Sequence, residues 1–105
     1  MKRVSWRLTI LAKAVAVLQS PTFKKAVKKL KANQKKDLDV AVKKLMADPE
    51  LGERKKGDLA FLRVYKFTMS KQLTLLGYSF DDGTLILALM ALGAHENFYR
   101  DLKRR

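Results

Sequence analysis

The chain has 105 residues, of which 48% are hydrophobic, with no cysteine and a single histidine. This length suits one domain with one modest core, and the lack of cysteine excludes disulfides, thiolate metal sites and cysteine nucleophiles. Lysine and arginine number 23 against 10 acidic residues, a net charge of +13. The expected partner is therefore nucleic acid, an anionic membrane surface or an acidic protein.

The positive charge is concentrated near the beginning of the chain. Residues 1–36 contain eleven basic side chains and no acidic one. A solvated helix face would account for this, whereas the cost of self-repulsion favours a counter-charged partner. The first residues resemble a signal peptide, but Arg7 and Lys13 interrupt the apolar stretch. We therefore expect an N-terminal extension (1–13), one domain (14–105), a cytoplasmic location and no membrane-spanning segment.

The first predicted elements are a strand and two helices. The apolar, partly β-branched run 14–19 predicts a strand. Ser20 and Pro21 then form a typical helix start, because serine caps and proline suits the first helical position. The apolar residues that follow have helical spacing: Phe23, Ala26, Val27 and Leu30.

"ANQ" at 32–34 is expected to break this helix, and a second apolar stripe predicts another helix at 35–47. Pro49 disfavours helix at Asp48 and ends it. The two helices should form a hairpin.

Three strands are predicted after a polar loop at 48–60. "FLRVYKFTM" (61–69) alternates between two faces, with Arg63, Tyr65 and Phe67 on one and Val64 and Lys66 on the other.

"SK" makes a tight turn into a strand at 72–80, and "DDG" (81–83) makes a second turn in which glycine would supply positive φ. The almost wholly apolar run 84–93 predicts a strand covered on both faces, and a short helix closes the chain at 95–104. The fold class is thus α+β: an N-terminal strand and a helical hairpin packed on a three- to four-stranded, mainly antiparallel sheet, with a short C-terminal helix.

The closing helix holds the residues closest to catalytic chemistry. His95 and Tyr99 are one helical turn apart, and Phe98 shares an adjacent face with Leu102. His95 is either a structural hydrogen-bonding residue or a proton-transfer group that titrates near neutral pH. Phe98 and Leu102 are most simply core anchors. Tyr99 either belongs to the functional site or only packs against the sheet.

A second group of cations lies in the polar loop and the first long strand: Lys55, Lys56, Arg63 and Lys66. Beside Tyr65 and Phe67 they suit single-stranded nucleic acid, where aromatic rings stack on bases and cations follow the backbone. Equally, Arg63 and Lys66 are charges that protect a sheet edge from aggregation. No metal cluster, glycine-rich phosphate loop or nucleophile elbow is present, so an enzyme of this sequence would work without metal or cofactor.

Four segments in this order, "SPTFKKAVKKL", "ADPELGERKKGDLAFLRVYKF", "QLTLLGY" and "LGAHENFYRDLKR", resemble the RelE/ParE superfamily of bacterial type II toxins. The resemblance spans about residues 14–105. It implies a toxin neutralised by a cognate antitoxin, acting either as a RelE-like nuclease that cuts messenger RNA in the ribosomal A site or as a ParE-like, non-enzymatic inhibitor of DNA gyrase.

The ending Gly93-Ala94-His95 followed by Tyr99 matches the spacing of a histidine and an aromatic residue in YafQ-like nucleases of this superfamily. The resemblance implies metal-free cleavage of messenger RNA, with His95, Arg63, Lys66 and Tyr99 as catalytic residues and Lys55, Lys56, Tyr65 and Phe98 as RNA-binding residues.

RelE-like nucleases commonly carry an arginine near Thr74, and this chain has none in that segment. Besides gyrase inhibition, a toxin fold that has lost its activity and an unrelated basic RNA-binding domain remain as alternatives.

Overall fold

The computed structural model describes residues 16–57, 60–94 and Phe98. The described residues form two helices on one face of a mixed five-stranded sheet, in agreement with the expected α+β class. The strands are β1 (Ala16–Gln19), β2 (Glu53–Arg54), β3 (Arg63–Met69), β4 (Gln72–Asp81) and β5 (Ile86–Ala94). Their order across the sheet is β1-β5-β4-β3-β2, with β1 parallel to β5 and all other pairs antiparallel.

Helix α1 (Pro21–Lys28) begins where the sequence predicts. The Ser20 hydroxyl accepts a hydrogen bond from the Phe23 N–H at 3.1 Å and donates one to the Met90 carbonyl at 2.8 Å. One side chain therefore caps the helix and ties it to β5.

Helix α2 (Ala32–Ala47) begins earlier than predicted, since the break falls just before Ala32 and not at 32–34. The polar residues there form the first helical turn, and the Gln34 side chain accepts a hydrogen bond from the Lys31 N–H at 2.8 Å. That bond satisfies a backbone donor at the helix start. Polar composition marked the beginning of a helix, not a gap between helices.

The two strand connections use positive φ at residues other than glycine. Ser70 and Lys71 have φ values of 51° and 70°, which gives the tight two-residue turn between β3 and β4. In the second turn the positive φ (59°) belongs to Leu85, so the assignment to Gly83 is wrong. The Asp81 carboxylate shapes this turn by accepting bonds from the Gly83 N–H and the Thr84 hydroxyl, which together lower its pKa.

The sheet separates two apolar clusters. The larger lies under the helices and includes Phe23, Leu38, Leu45, Leu76 and Leu89. The smaller lies on the other face and consists of Leu62, Val64, Leu75, Ala91 and Phe98. β5 contributes residues to both clusters. This confirms the prediction that this almost wholly apolar strand is covered on both faces.

The limits of some elements differ from the prediction. The short β2 was not predicted, and β3 begins at Arg63 and not at residue 61. Of the expected C-terminal helix only Phe98, which is helical, lies within the described residues, and the N-terminal extension lies outside them. Within the described ranges, no helix has the length and apolarity needed to cross a membrane.

Candidate nucleic-acid site

A cavity of about 590 Å³ lies between α1, the start of α2 and the ends of β4 and β5. Its wall is largely apolar, with contributions from Leu30, Met69, Met90, Leu92 and Phe98. Two exposed lysines, Lys25 of α1 and Lys29 at the C-cap of that helix, also line it. They are four residues apart, so they lie on the same side of the helix. The arrangement is an apolar recess bordered by positive charge.

No carboxylate contributes to the described lining of this cavity. Its other polar residues are Thr22, Gln34, Gln72 and Thr74. Thr74 is 2% exposed, and its hydroxyl donates to the Gln72 carbonyl at 3.1 Å. The electrostatic character of the recess is therefore positive, which favours an anionic ligand.

The cavity lies at the end of β5. Thr74 of β4 pairs with Ala94, the last residue of β5, and both line the recess. His95 follows Ala94 in the chain, but His95 and Tyr99 lie outside the described residues. The chain thus leaves the sheet at this cavity, immediately before the histidine that the sequence identifies as the proton-transfer candidate.

Arg63 and Lys66 do not form one site. β3 alternates regularly, and Tyr65, Phe67 and Met69 face the helix-side cluster while Val64 faces the other. Positions 63 and 66 differ by an odd number, so Arg63 lies on the helix side and Lys66 on the opposite side. The expectation that both stabilise the same phosphate is corrected, because the sheet itself separates them.

The guanidinium of Arg63 is engaged by the loop after α2. Its Nη1 donates to the Gly52 carbonyl at 2.8 Å and to the Glu50 carbonyl at 3.3 Å. Arg63 pairs with Tyr78, four residues along β4 from Thr74, a separation of about 13 Å along the strand. It lines a different cavity, of about 150 Å³.

The predicted RNA-binding residues are dispersed. The ammonium of Lys55 is 2.9 Å from the Glu53 carboxylate, an ion pair that lowers the pKa of Glu53. Lys56 is exposed beyond β2, and Tyr65 stacks on Phe67 with ring centroids 6.0 Å apart. Lys55, Lys56 and Tyr65 do not line the 590 Å³ cavity.

Phe98 is buried, with 3% of its surface exposed. Its ring packs among Leu62, Val64 and Leu75 and lies so close to Gly77 that a Cβ there would be 2.7 Å from Cζ. Nearly all of this ring packs in the core, so the core-anchor alternative fits it, and any contact with RNA is limited to the small part that lines the 590 Å³ cavity.

Sequence reasoning did not single out Lys25 and Lys29 as candidate binding residues. Their spacing beside Ala26 and Leu30 was the available signal, but only the fold shows which lysines border a recess. Among the described residues, no group of three histidine, cysteine or acidic side chains is placed to hold a metal ion.

Comparisons with known proteins identify the family. Residues 17–103 match the family model described as "ParE-like toxin of type II bacterial toxin-antitoxin system". No curated protein matches the chain significantly.

Two solved structures share the fold. The intact E. coli RelBE toxin–antitoxin complex matches with a TM-score of 0.60 and 15% identity, covering 74% of this chain and 93% of that chain. A free arginine-to-alanine double mutant of the E. coli toxin RelE matches with a TM-score of 0.62 and 16% identity, covering 84% and 94%.

Proposed function

The chain belongs to the ParE-like toxins of type II bacterial toxin–antitoxin systems, and from this premise we propose that it arrests growth by cutting messenger RNA on the ribosome. A cognate antitoxin neutralises this activity, and the protein acts in the cytoplasm. The fold alone does not decide between targets, so the proposal depends on the site.

One observation carries the proposal. The strand that leads into His95 ends at a cavity bordered by Lys25 and Lys29, with an apolar interior and no described carboxylate. A single-stranded polynucleotide needs these two features together, an apolar surface for the base and cations for the backbone. The net charge of +13 adds long-range attraction towards the ribosome.

The proposed reaction requires no metal step. A base removes the proton from a ribose 2′-OH, the 2′-oxygen attacks the adjacent phosphorus, and the bond to the 5′-oxygen of the next nucleotide breaks. The products are a 2′,3′-cyclic phosphate and a 5′-hydroxyl that has received a proton. His95 is the proposed proton-transfer residue, since imidazole titrates near neutral pH. Lysine ammonium groups beside the phosphate stabilise the charge that develops in the transition state.

A second candidate is inhibition of DNA gyrase without catalysis. The composition of the cavity favours this candidate. Related nucleases commonly carry an arginine near the position of Thr74, and the described lining of the cavity contains no arginine. Both candidates use positive charge, so charge alone does not discriminate between them.

The test is induced expression with two parallel measurements, the mapping of transcript 5′ ends and a supercoiling assay. Nuclease activity predicts new 5′ ends within reading frames while supercoiling is unchanged, and growth restored by the neighbouring antitoxin gene. His95→Ala should lower cleavage by about 10²- to 10⁴-fold while antitoxin binding persists. Altered supercoiling with intact transcripts would instead establish the gyrase candidate, and unimpaired growth would count against any toxin activity.

A further inference from the structure

The missing arginine near Thr74 leaves the phosphates of an RNA substrate without an obvious partner on the sheet. Arg63 is engaged by the Gly52 and Glu50 carbonyls, and Lys66 lies on the opposite face of the sheet. The cations that line the described part of the cavity are Lys25, in α1, and Lys29, the C-cap of α1. Among the described residues, the cations placed to bind phosphate at this cavity are therefore those of α1 and its C-cap.

We propose that Lys25 and Lys29 form the phosphate-binding pair of this protein, holding neighbouring phosphates of a single RNA strand across the cavity while one base enters its apolar interior. This inference rests on the proposed function, and it specifies which groups hold the substrate.

The geometry of α1 supports a paired site. Residues four apart on a helix have their Cβ atoms about 5–6 Å apart on one face, and each lysine carries a flexible four-carbon stem that lets its ammonium adjust to a phosphate. Ala26 of α1 and Leu30, which follows the helix, line the recess beside them. A backbone following the two lysines would thus lie directly over the apolar interior.

The interior suits a base better than it suits a second charged group. Its volume, about 590 Å³, lies within the range of small-ligand sites. The hydroxyl of Thr74 is already donated to the Gln72 carbonyl, so the floor presents an apolar surface. Every base has an apolar π-face, so a pocket of this kind accepts bases with little sequence preference. Charge complementarity between the two lysines and a polyanion then favours a nucleic-acid strand, and the proposed nuclease activity makes that strand RNA.

The test measures binding without cleavage. A short fluorescein-labelled 2′-O-methyl RNA has no free 2′-OH and cannot be cut, so fluorescence anisotropy over a series of KCl concentrations reports binding alone. The double variant Lys25→Ala/Lys29→Ala should bind at least about tenfold more weakly near 0.1 M salt. Its slope of log K against log salt should fall by about 1.4, because each lost phosphate contact on a single strand accounts for about 0.7.

The matched control is Lys28→Ala/Lys36→Ala. It removes the same number of charges from exposed positions, Lys28 at the end of α1 and Lys36 in α2, and neither residue lines the cavity. Its affinity for the RNA should fall less than about threefold, since only the long-range electrostatic attraction to the RNA weakens. Lys25→Arg/Lys29→Arg should retain binding. Equal losses in the alanine double variant and the control, or no loss in either, would overturn the paired site.

Ribosome-dependent cleavage assays separate this inference from the proposed function. Cleavage by Lys25→Ala/Lys29→Ala at the parent's rate would refute the phosphate-binding pair while leaving the nuclease intact. RNA binding that depends on Lys25 and Lys29 in a parent protein that cuts no transcript would refute the nuclease while leaving the binding site.

Discussion

Gly52 and Tyr78 are joined in the interior of the protein. The Gly52 N–H donates a hydrogen bond to the Tyr78 hydroxyl at 2.8 Å, and that hydroxyl donates to the Pro49 carbonyl at 2.6 Å. A Cβ at residue 52 would stand 2.7 Å from the Tyr78 ring, so only glycine allows the approach. The loop after α2 is thereby fastened to β4, and Arg63 binds two carbonyls of the same loop.

Tyr78→Phe should lower the free energy of unfolding by about 1–3 kcal/mol, because it leaves the buried Gly52 N–H and Pro49 carbonyl without their shared partner. Urea denaturation followed by circular dichroism measures the change. Tyr65→Phe is the control, since no hydrogen bond of the Tyr65 hydroxyl occurs within the described residues. Equal stability of the two variants would show that the buried hydroxyl contributes nothing.

The contribution of Tyr78 should also depend on pH. Burial raises its pKa above the ordinary value near 10. As pH rises past 10, the Tyr78 hydroxyl loses its proton in the unfolded chain but keeps it in the folded protein. The contribution of Tyr78 to the free energy of unfolding is therefore complete below pH 10 and declines above it. The stability difference between the parent and Tyr78→Phe should hold steady from pH 7 to 9 and shrink at higher pH. A difference that widened there would contradict the direction of the shift.

Gly77→Ala should destabilise the fold by about 1–3 kcal/mol through overpacking. The new Cβ would stand 2.7 Å from Phe98 Cζ and 3.3 Å from Leu62 Cδ1. Gly93→Ala is the matched control in the neighbouring strand, because a Cβ there meets no heavy atom of the described residues within 4 Å. Its effect should stay within about 0.5 kcal/mol.

Phe98→Leu tests whether the clash is with this ring. The substitution should cost stability in the parent, yet recover part of the loss in the Gly77→Ala background, an interaction that a double-mutant cycle measures by thermal unfolding. If the changes in the free energy of unfolding caused by the two substitutions were strictly additive, the Phe98 ring would not be what limits the space at position 77.

Arg63→Ala and Lys66→Ala should have different effects. The first removes two hydrogen bonds to the loop and should cost about 1 kcal/mol of stability, whereas the second, at an exposed position, should change stability by less than about 0.5 kcal/mol. Neither should weaken RNA binding as strongly as loss of Lys25 and Lys29. If both variants lost cleavage while keeping parental stability, the sequence-based assignment of Arg63 and Lys66 to catalysis would be correct and the cavity would not be the substrate site.

The local elements were predictable where a short-range rule decides them. Ser20 and Pro21 mark the start of α1 because capping depends on neighbouring backbone groups only. The start of α2 was misplaced although it too depends on a local contact, the Lys31 N–H bond to the Gln34 side chain, because the polar composition was taken for a break. The start of β5 was misplaced because the turn extends to Leu85, which has positive φ. Family membership was also predictable, from four segments whose order and spacing together are specific.

The amino-acid sequence by itself determined the class of fold, the excess of positive charge and the toxin family, because periodicity, composition and motif order are properties of the chain. Only the tertiary structure decided which charged groups can act together. Strand alternation put Arg63 and Lys66 on opposite sides of a sheet, and helix packing brought Lys25 and Lys29 to the rim of a recess at the end of β5. Such proximity depends on contacts between residues far apart in the chain, which local patterns do not encode.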